Sequence, residues 1–120
     1  SVLPILDADL DEKELQQVVN DYQEKKFQFL NQSMDRGSVY ATMSLGMAFY
    51  TGENTKQDKI KAYAYLRLAE EYQSFRTNKL VIERINGDMT VYDRDEAEEL
   101  FTSLLKRFGK EDGVKLYSNK

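Results

Sequence analysis

The side chains in this chain that could do chemistry are carboxylates, lysines, tyrosines and serines, because its 120 residues include no histidine and no cysteine. These absences exclude an imidazole acid or base, a thiolate nucleophile, a disulfide and a Cys/His metal site. A carboxylate pair for glycoside hydrolysis would need two acids facing each other about 5 to 10 Å apart. The acids of this chain cluster instead where exposed helix starts are expected. The sequence therefore predicts no catalytic residue, no cofactor and no enzyme activity.

Three acidic residues near the start of the chain, Asp7, Asp9 and Asp11, alternate as the first ligands of an EF-hand calcium loop do. Such a loop requires glycine at its sixth position and glutamate at its twelfth. Those positions hold Glu12 and Val18 here. We therefore expect no metal site and interpret these acids as a helix start, where negative charge meets the positive end of the helix dipole.

The charge and hydropathy of the chain restrict the kinds of partner that it can bind. Seventeen Lys and Arg against twenty-one Asp and Glu give a net charge of −4, which repels nucleic acid and anionic lipid. The basic residues Lys56, Lys59 and Lys61 are too few to neutralise many phosphates. No apolar run approaches the roughly 18 residues that a membrane span requires. We expect neither nucleic-acid binding nor membrane insertion.

Apolar residues recur at helical spacing in several stretches of the chain. They predict helices over residues 7–34, 38–51, from about 57 onward, and 91–108. Gly37 and Gly52 are expected to end the first two helices, and Ser38 to cap the second. The acidic run 93–99 is interpreted as a helix start with a solvated face, and the alternative is a docking surface for a basic partner.

The extent of the third helix has two interpretations. Neither glycine nor proline interrupts the chain between Asp58 and Ile85, so one helix of that length is consistent with the sequence. The weak helix breakers Thr77 and Asn78 allow two helices separated there instead. The residues 86–88, with the sequence Asn-Gly-Asp, are a turn signal before the last helix.

Residues 37–69 have the side-chain sizes expected where two antiparallel helices pack closely. Small residues let the backbones approach, and large ones fill the space between those contacts. A glycine inside a helix costs about 1 kcal/mol relative to alanine, so Gly46 predicts an approach too close for a Cβ atom. The small residues are Ala41, Gly46, Ala62 and Ala69, and the large ones are Leu45, Phe49, Tyr50, Tyr65 and Leu66.

This spacing closely resembles that of the Sel-one-like repeat family, relatives of the tetratricopeptide repeats. The family unit reads Ala-x3-Leu-Gly-x2-Tyr-x2-Gly, followed by Asp-x2-Lys-Ala-x2-Trp/Tyr-x3-Ala. Two features depart from it: the linker 52–58 lacks the usual second glycine, and residues 70–75 continue helically where the family begins a new unit. The matching residues are Ala41, Leu45, Gly46, Phe49, Gly52, Asp58, Lys61, Ala62, Tyr65 and Ala69.

The resemblance implies an all-α fold, a right-handed superhelix of antiparallel helix pairs with four to five helices. It divides one helical domain, 1–120, into a degenerate half-repeat at 1–37, a Sel-one-like repeat at 38–73 and capping helices at 74–120. A lone repeat cannot bury both of its faces, so flanking helices, further sequence or a second copy must complete the core. Because many bacterial members of the family are exported, the resemblance favours the periplasm or secretion slightly, and the cytoplasm stays open.

Four residues of the second helix, Tyr40, Met43, Met47 and Tyr50, form a second apolar stripe at steps of three and four. In superhelices of this family the first helix of each unit lines the concave surface, so the resemblance implies that the stripe receives a peptide or helix of a partner. Methionine is an adaptable apolar contact and tyrosine a rigid anchor. The alternative is that the long first helix covers the stripe, since a small domain needs its apolar contacts.

We therefore expect a non-enzymatic interaction module, an adaptor that presents a helical surface to another protein or peptide, as repeats of this family commonly do. The main alternative is a self-assembling structural protein, or a fragment of a longer array, in which the half-repeat of one chain completes the repeat of another. A homo-oligomer therefore stays open. A carboxylate-dependent enzyme is the least favoured class.

Overall fold

The computed structural model describes residues 11–108, which form five α-helices. That range contains no strand, so the predicted all-α class is confirmed for it. None of the helices in this range is long and apolar enough to cross a membrane. In chain order the helices are α1 (Glu12–Asp35), α2 (Val39–Thr51), α3 (Lys59–Glu70), α4 (Arg76–Asp88) and α5 (Val91–Phe108).

α1 begins among the acidic residues that the sequence assigns to a helix start. The Asp11 carboxylate caps the helix by accepting the Glu14 backbone N–H at 2.8 Å. Glu12 and Glu14 lie in the first turn, where the helix dipole favours negative charge. The earlier part of the predicted helix, residues 7–10, and with it Asp7 and Asp9, lies outside the described residues.

Both ends of α2 have the caps that the sequence predicts, and α3 begins near the predicted position with a side-chain cap. The Ser38 side chain accepts the Ala41 N–H at 3.1 Å, and the Asp58 carboxylate accepts the Lys61 N–H at 3.0 Å. Gly52 ends α2 with a φ of +79°, a conformation that a residue with a Cβ adopts only at a cost. These three residues fix where the two helices face each other.

α2 and α3 pack antiparallel at very short range. A Cβ atom built on Gly46 would lie 2.7 Å from Leu66 Cδ2 and 3.2 Å from the Leu66 backbone nitrogen. One turn further along α2, the Phe49 ring meets the Tyr65 ring edge-on, with centroids 5.2 Å apart. The close approach predicted at Gly46 is therefore confirmed.

All five helices contribute to one core of buried apolar side chains. α3 is the central helix, since it packs against α2, α4 and α5, whereas α1 packs mainly against α2. The largest fully buried apolar residues are Phe108, Leu45, Leu66, Leu68, Ile85 and Val39.

α3 and α5 run in the same direction and are joined by polar contacts at both ends. Near the start, the Tyr63 hydroxyl donates to the Glu98 carboxylate at 3.0 Å, and Arg67 donates to both. Near the end, the Tyr72 hydroxyl donates to the Phe108 backbone carbonyl at 2.7 Å. Burial raises the pKa of Tyr72, and the neighbouring Glu71 charge adds to the rise.

The helix after Asp58 is broken well before Thr77, so the single-helix interpretation is wrong, and so is a break at Thr77 itself. α3 ends at Glu70. The Glu70 carboxylate accepts the backbone N–H of Phe75, five residues later, at 2.8 Å. This contact and the Tyr72 hydrogen bond to α5 stabilise a turn over residues 71–75 that no glycine or proline marks.

The turn predicted at residues 86–88 is also wrong, because α4 continues through them to Asp88. Ile85 is fully buried, and the Arg94 guanidinium donates to the Asn86 carbonyl at 3.2 Å, which anchors the last turn of α4 on α5. The chain turns only after Asp88, and there the Asp93 N–H donates to the Thr90 hydroxyl at 3.1 Å and caps α5.

α1 is much longer than the helix that it packs on. Its 24 residues span about 36 Å and the 13 residues of α2 about 20 Å, at 1.5 Å per residue. The contact lies in the second half of α1, where Phe27 meets Phe49 edge-on at 5.8 Å and Met34 is buried. The first half of α1 therefore extends past the end of α2.

Candidate interaction groove between α1 and α2

An open groove follows the outer side of the α1–α2 contact. Its floor is Leu30 of α1 and Ser44 of α2, which are shared by two adjoining depressions. We call this feature the α1–α2 groove. Its remaining main lining residues are Lys26, Phe29 and Ser33 from α1, Arg36 directly after α1, Tyr40, Met43, Met47 and Thr51 from α2, and Glu53 and Asn54 after α2.

The first depression has aromatic walls and one cationic end. It encloses about 360 Å³. Phe29 is 62% exposed, which is unusual for a phenylalanine, and Tyr40 stands on the opposite wall. The Arg36 side chain lies at the end near the α1–α2 turn, and Ser33 adds a hydroxyl group. This half of the groove can therefore bind an apolar side chain next to an anionic group.

The second depression is lined by the two methionines of the predicted stripe. It encloses about 280 Å³ between Lys26 on α1 and the residues that follow α2. Met43 and Met47 are half-buried and pack partly against the core. Asn54 has a φ of +65°, and its side-chain oxygen is buried without a hydrogen-bond donor among the described residues. The floor is thus apolar, with a polar acceptor at its edge.

Of the four stripe residues, the structure brings three together in the groove. Tyr40, Met43 and Met47 line it, and the Tyr40 ring also contacts the Phe75 ring with centroids 5.6 Å apart. Tyr50 is half-buried, packs against the core and does not line either depression. The stripe is therefore divided between the groove and the core.

α1 lies beside the stripe and covers it only in part. Tyr40 is 36% exposed, and Met43 and Met47 keep intermediate exposure. Val39, Thr42 and Leu45 of α2 are by contrast fully buried. An apolar surface of moderate size thus stays accessible along the groove.

Positive charge dominates the α1 side of the groove. Arg36 and Lys26 form no ion pair with a carboxylate of the described residues, and Asp35, beside Arg36, pairs instead with Arg107 at 3.0 Å. Glu53 is the one acid that lines the described groove, at its far end from Arg36. The Arg36 end is therefore cationic, in a chain whose net charge is negative.

The polar clusters outside the groove hold helices of the fold together. Arg67 is held between Glu98 and the Phe101 ring, whose centroid lies 4.2 Å from the guanidinium carbon. Burial raises the pKa of Tyr65, and the nearby Arg107 charge opposes that rise. In the part of the chain that the structure describes, no group of three or more His, Cys, Asp and Glu side chains could hold a metal ion.

Sequence reasoning missed the residues that α1 contributes to the groove. Phe29 fits the helical spacing of the apolar residues of α1, yet it is 62% exposed and forms a groove wall. The available signal was the apolar pair Phe29–Leu30, which is wider than one helical stripe needs. No pattern in the sequence marks Lys26 or Arg36, because their place depends on the side from which α1 packs on α2.

A scan against protein-family models finds no match for this chain, and searches of curated proteins and of solved structures find no match either.

Proposed function

We propose that this chain is a non-enzymatic interaction module of the Sel-one-like repeat type, an adaptor that holds an apolar segment of another protein in the α1–α2 groove. In this proposal the helices belong to a right-handed superhelix of antiparallel pairs, with α2 and α3 as the central repeat. Two observations support that assignment: the Gly46–Leu66 approach at a position of the repeat pattern, and the shared direction of α3 and α5. Equivalent helices of successive pairs run in one direction in such arrays.

The observation that carries the proposal is the open apolar groove itself. Tyr40, Met43, Met47 and Phe29 present accessible apolar surface on two rigid helices, whose positions are fixed by the core beneath them. A groove between two helices is a common binding site for an apolar peptide or an amphipathic helix. Methionine adapts to different side chains, and aromatic residues provide anchoring contacts.

The polar groups of the groove indicate the chemistry of its occupant. Arg36 is a cation without an acidic neighbour in the first depression. A charge-assisted hydrogen bond to a carboxylate is stronger than one between neutral groups. The occupant that fits is an apolar segment that carries an aspartate or glutamate at the Arg36 end.

Selection from a displayed library of random linear peptides tests the proposal. The wild-type chain is expected to enrich peptides with apolar residues next to an acidic residue. Met47→Asp places a carboxylate on the apolar floor and is expected to lose this enrichment. Ser44→Arg fills the floor shared by the two depressions without removing an apolar core contact, so it should lose enrichment even if Met47→Asp affects folding.

A matched control is Leu80→Asp, which makes the same kind of apolar-to-acidic change at a site that is 57% exposed on α4, away from the groove. It is expected to enrich the same peptides as the wild type. Enrichment that persists in folded Ser44→Arg and Met47→Asp would overturn the groove as the binding site. Absence of enrichment by the wild-type chain would overturn the proposed function.

A further inference from the structure

The described part of the chain ends beside the cationic end of the α1–α2 groove. Arg107 lies in the last turn of α5, and its guanidinium donates to the Asp35 carboxylate at 3.0 Å. Asp35 is the last residue of α1 and immediately precedes Arg36, which lines the first depression of the groove. The end of α5 is therefore held against the end of α1 at which the groove is cationic.

A second series of contacts links the end of α5 to the Tyr40 wall of the groove. The Phe108 carbonyl accepts the Tyr72 hydroxyl at 2.7 Å, in the turn that follows α3. Phe75 ends that turn, and its ring centroid lies 5.6 Å from the ring centroid of Tyr40. Tyr40 and Arg36 both line the first depression, so the two series of contacts lead to the same part of the groove.

The chain beyond α5 is long enough to reach this depression. The sequence continues after Phe108 through residues 109–120. An extended segment of this length spans up to about 40 Å, at about 3.3 Å per residue. The ion pair of Arg107 and Asp35 separates the backbones of α5 and α1 by no more than two side-chain lengths, so the segment can reach the depression and follow it.

The acidic residues of this segment come soon after α5. Glu111 and Asp112 follow Phe108 by three and four residues. Arg36 forms no ion pair with a carboxylate of the described residues. Because a hydrogen bond between a guanidinium and a carboxylate is stronger than one between neutral groups, Arg36 and this acidic pair are complementary.

Apolar residues follow the acidic pair in the segment. They are Val114, Leu116 and Tyr117. The first depression offers them the ring of Tyr40 and the ring of Phe29, which is 62% exposed. Burial of an apolar side chain there removes apolar surface of both partners from water. The segment thus presents an acidic group and then apolar groups, the order in which the groove presents Arg36 and then its aromatic walls.

We propose that residues 111–117 occupy the α1–α2 groove of their own molecule, with the acidic pair on Arg36 and the apolar side chains in the first depression. The inference rests on the groove of the proposed function and identifies one occupant of it. A segment joined to its site by a short linker acts at an effective concentration on the order of 1 mM. A weak contact is therefore sufficient, and a partner segment that binds more tightly displaces it.

A spin label tests this contact in the full chain without any added ligand. The chain has no cysteine, so Asn119→Cys provides a single site for a nitroxide. The methionine methyl groups carry ¹³C, and the nitroxide is expected to broaden the Met43 and Met47 signals. Met89 is the internal reference, because it precedes α5, whose 18 residues place it about 27 Å from Phe108. Its signal should stay sharp.

Two matched variants of the labelled chain test the role of the apolar residues. Leu116→Asp places a carboxylate among them and is expected to restore most of the lost Met43 and Met47 intensity. Ser118→Asp adds the same charge beside the label and is expected to leave the broadening as in the wild type. Broadening that is equal in all three chains would overturn the proposal.

A charge exchange tests the pairing with Arg36. Glu111→Lys/Asp112→Lys is expected to lose the broadening, and Arg36→Glu in that same chain is expected to restore it. A triple variant that stays as sharp as the double variant would overturn the pairing. Broadening that appears when unlabelled ¹³C chains are mixed with spin-labelled chains would overturn the contact within one molecule and indicate a second copy instead.

Competition separates this inference from the proposed function. A peptide selected by the wild-type chain should bind Leu116→Asp several-fold more tightly than the wild type, because the internal competitor is weakened. Equal affinities would overturn the inference and leave the proposed function intact. Failure of both chains to bind any selected peptide would overturn the proposed function, whereas the broadening measured without ligand decides the inference independently.

Discussion

Gly46 in α2 and Leu66 in α3 are in direct contact, and a Cβ atom at position 46 would lie 2.7 Å from Leu66 Cδ2. Leu66 is fully buried, and its backbone nitrogen would lie 3.2 Å from that Cβ. The side chain therefore has no space into which to move, and the two helices would have to separate. This contact sets the distance between the two helices at the centre of the fold.

Gly46→Ala is expected to lower the free energy of unfolding by about 1 to 2 kcal/mol, because the overpacking cost exceeds the gain in helix propensity. Chemical denaturation measures the change. The matched control is Gly87→Ala in α4, where nothing lies within 4 Å of the added Cβ. That variant should gain about 0.5 to 1 kcal/mol. Equal effects of the two alanines would contradict the close helix contact.

Asn78 is expected to reduce the stability of the protein. It is fully buried in α4, and neither its amide nitrogen nor its amide oxygen has a hydrogen-bond partner among the described residues. Asn78→Leu replaces this group by an apolar side chain of similar size and should raise the free energy of unfolding by about 1 to 2 kcal/mol. Thr77→Leu, at the exposed neighbouring position, is the control and should change little. Destabilisation by Asn78→Leu would show that the amide is satisfied in the folded protein.

Arg67 joins α3 to α5 through contacts that a surface ion pair lacks. It donates to the Tyr63 hydroxyl at 2.8 Å and to Glu98 at 3.0 Å, and it stacks on Phe101. Arg67→Met keeps much of the apolar stem and should cost about 1 to 2 kcal/mol. Thermal melting at matched salt concentrations compares it with a control on α4.

That control is Arg84→Met, which removes an ion pair of 3.9 Å with Asp88 from a side chain that is 76% exposed. Exposed pairs of this kind contribute little, so the change should stay within about 0.5 kcal/mol. If the two variants melted alike, the Tyr63–Arg67–Glu98 cluster would have no special role in joining α3 to α5.

The stability of the protein is expected to fall at alkaline pH. Burial raises the pKa of Tyr65 and Tyr72 above the ordinary value of 10.0. The folded state therefore holds these phenol protons more tightly than the unfolded chain, and this contribution is present below about pH 10 and lost as the pH rises through the folded-state pKa values. Melting curves from pH 7 to pH 11 should show the loss, and Tyr65→Phe/Tyr72→Phe should reduce it. A loss of the same size in that double variant would rule out these two groups as the cause.

The helix ends that depend on local chemistry were predictable from the sequence. Ser38 and Gly52 act through a side chain and a backbone conformation within a few residues, and the structure places them as predicted. The start of α3 near residue 58 was also predicted, and Asp58 caps it. Gly46 was predictable because its cost inside a helix indicates a compensating contact. In each of these cases the residue type alone is sufficient to predict the local structure.

The turn at 71–75 was not predictable, because it depends on contacts that the local sequence does not specify. The Glu70 carboxylate accepts the Phe75 N–H, and Tyr72 is anchored on Phe108, a residue of a distant helix. The continuation of α4 through Gly87 was not predictable for a similar reason. The burial of Ile85 outweighs the local turn signal at residues 86–88.

The candidate groove was predictable in part. Met43 and Met47 follow from a second apolar stripe on α2, whereas Tyr50, on the same stripe, packs against the core. The contribution of α1 depends on where that helix crosses α2. Periodicity within one helix contains no information about this crossing, so Phe29 and Arg36 were not identified as groove residues.

The most direct test of the proposed groove uses the four methionines of the chain as probes. Met43 and Met47 line the groove, whereas Met34 is buried in the core and Met89 follows α4. The chain is labelled with ¹³C at its methionine methyl groups and titrated with a peptide enriched by the wild-type selection. If the groove is the binding site, the Met43 and Met47 signals shift together and saturate, while those of Met34 and Met89 stay in place. Saturating shifts at Met89, with Met43 and Met47 unchanged, would contradict the groove as the binding site.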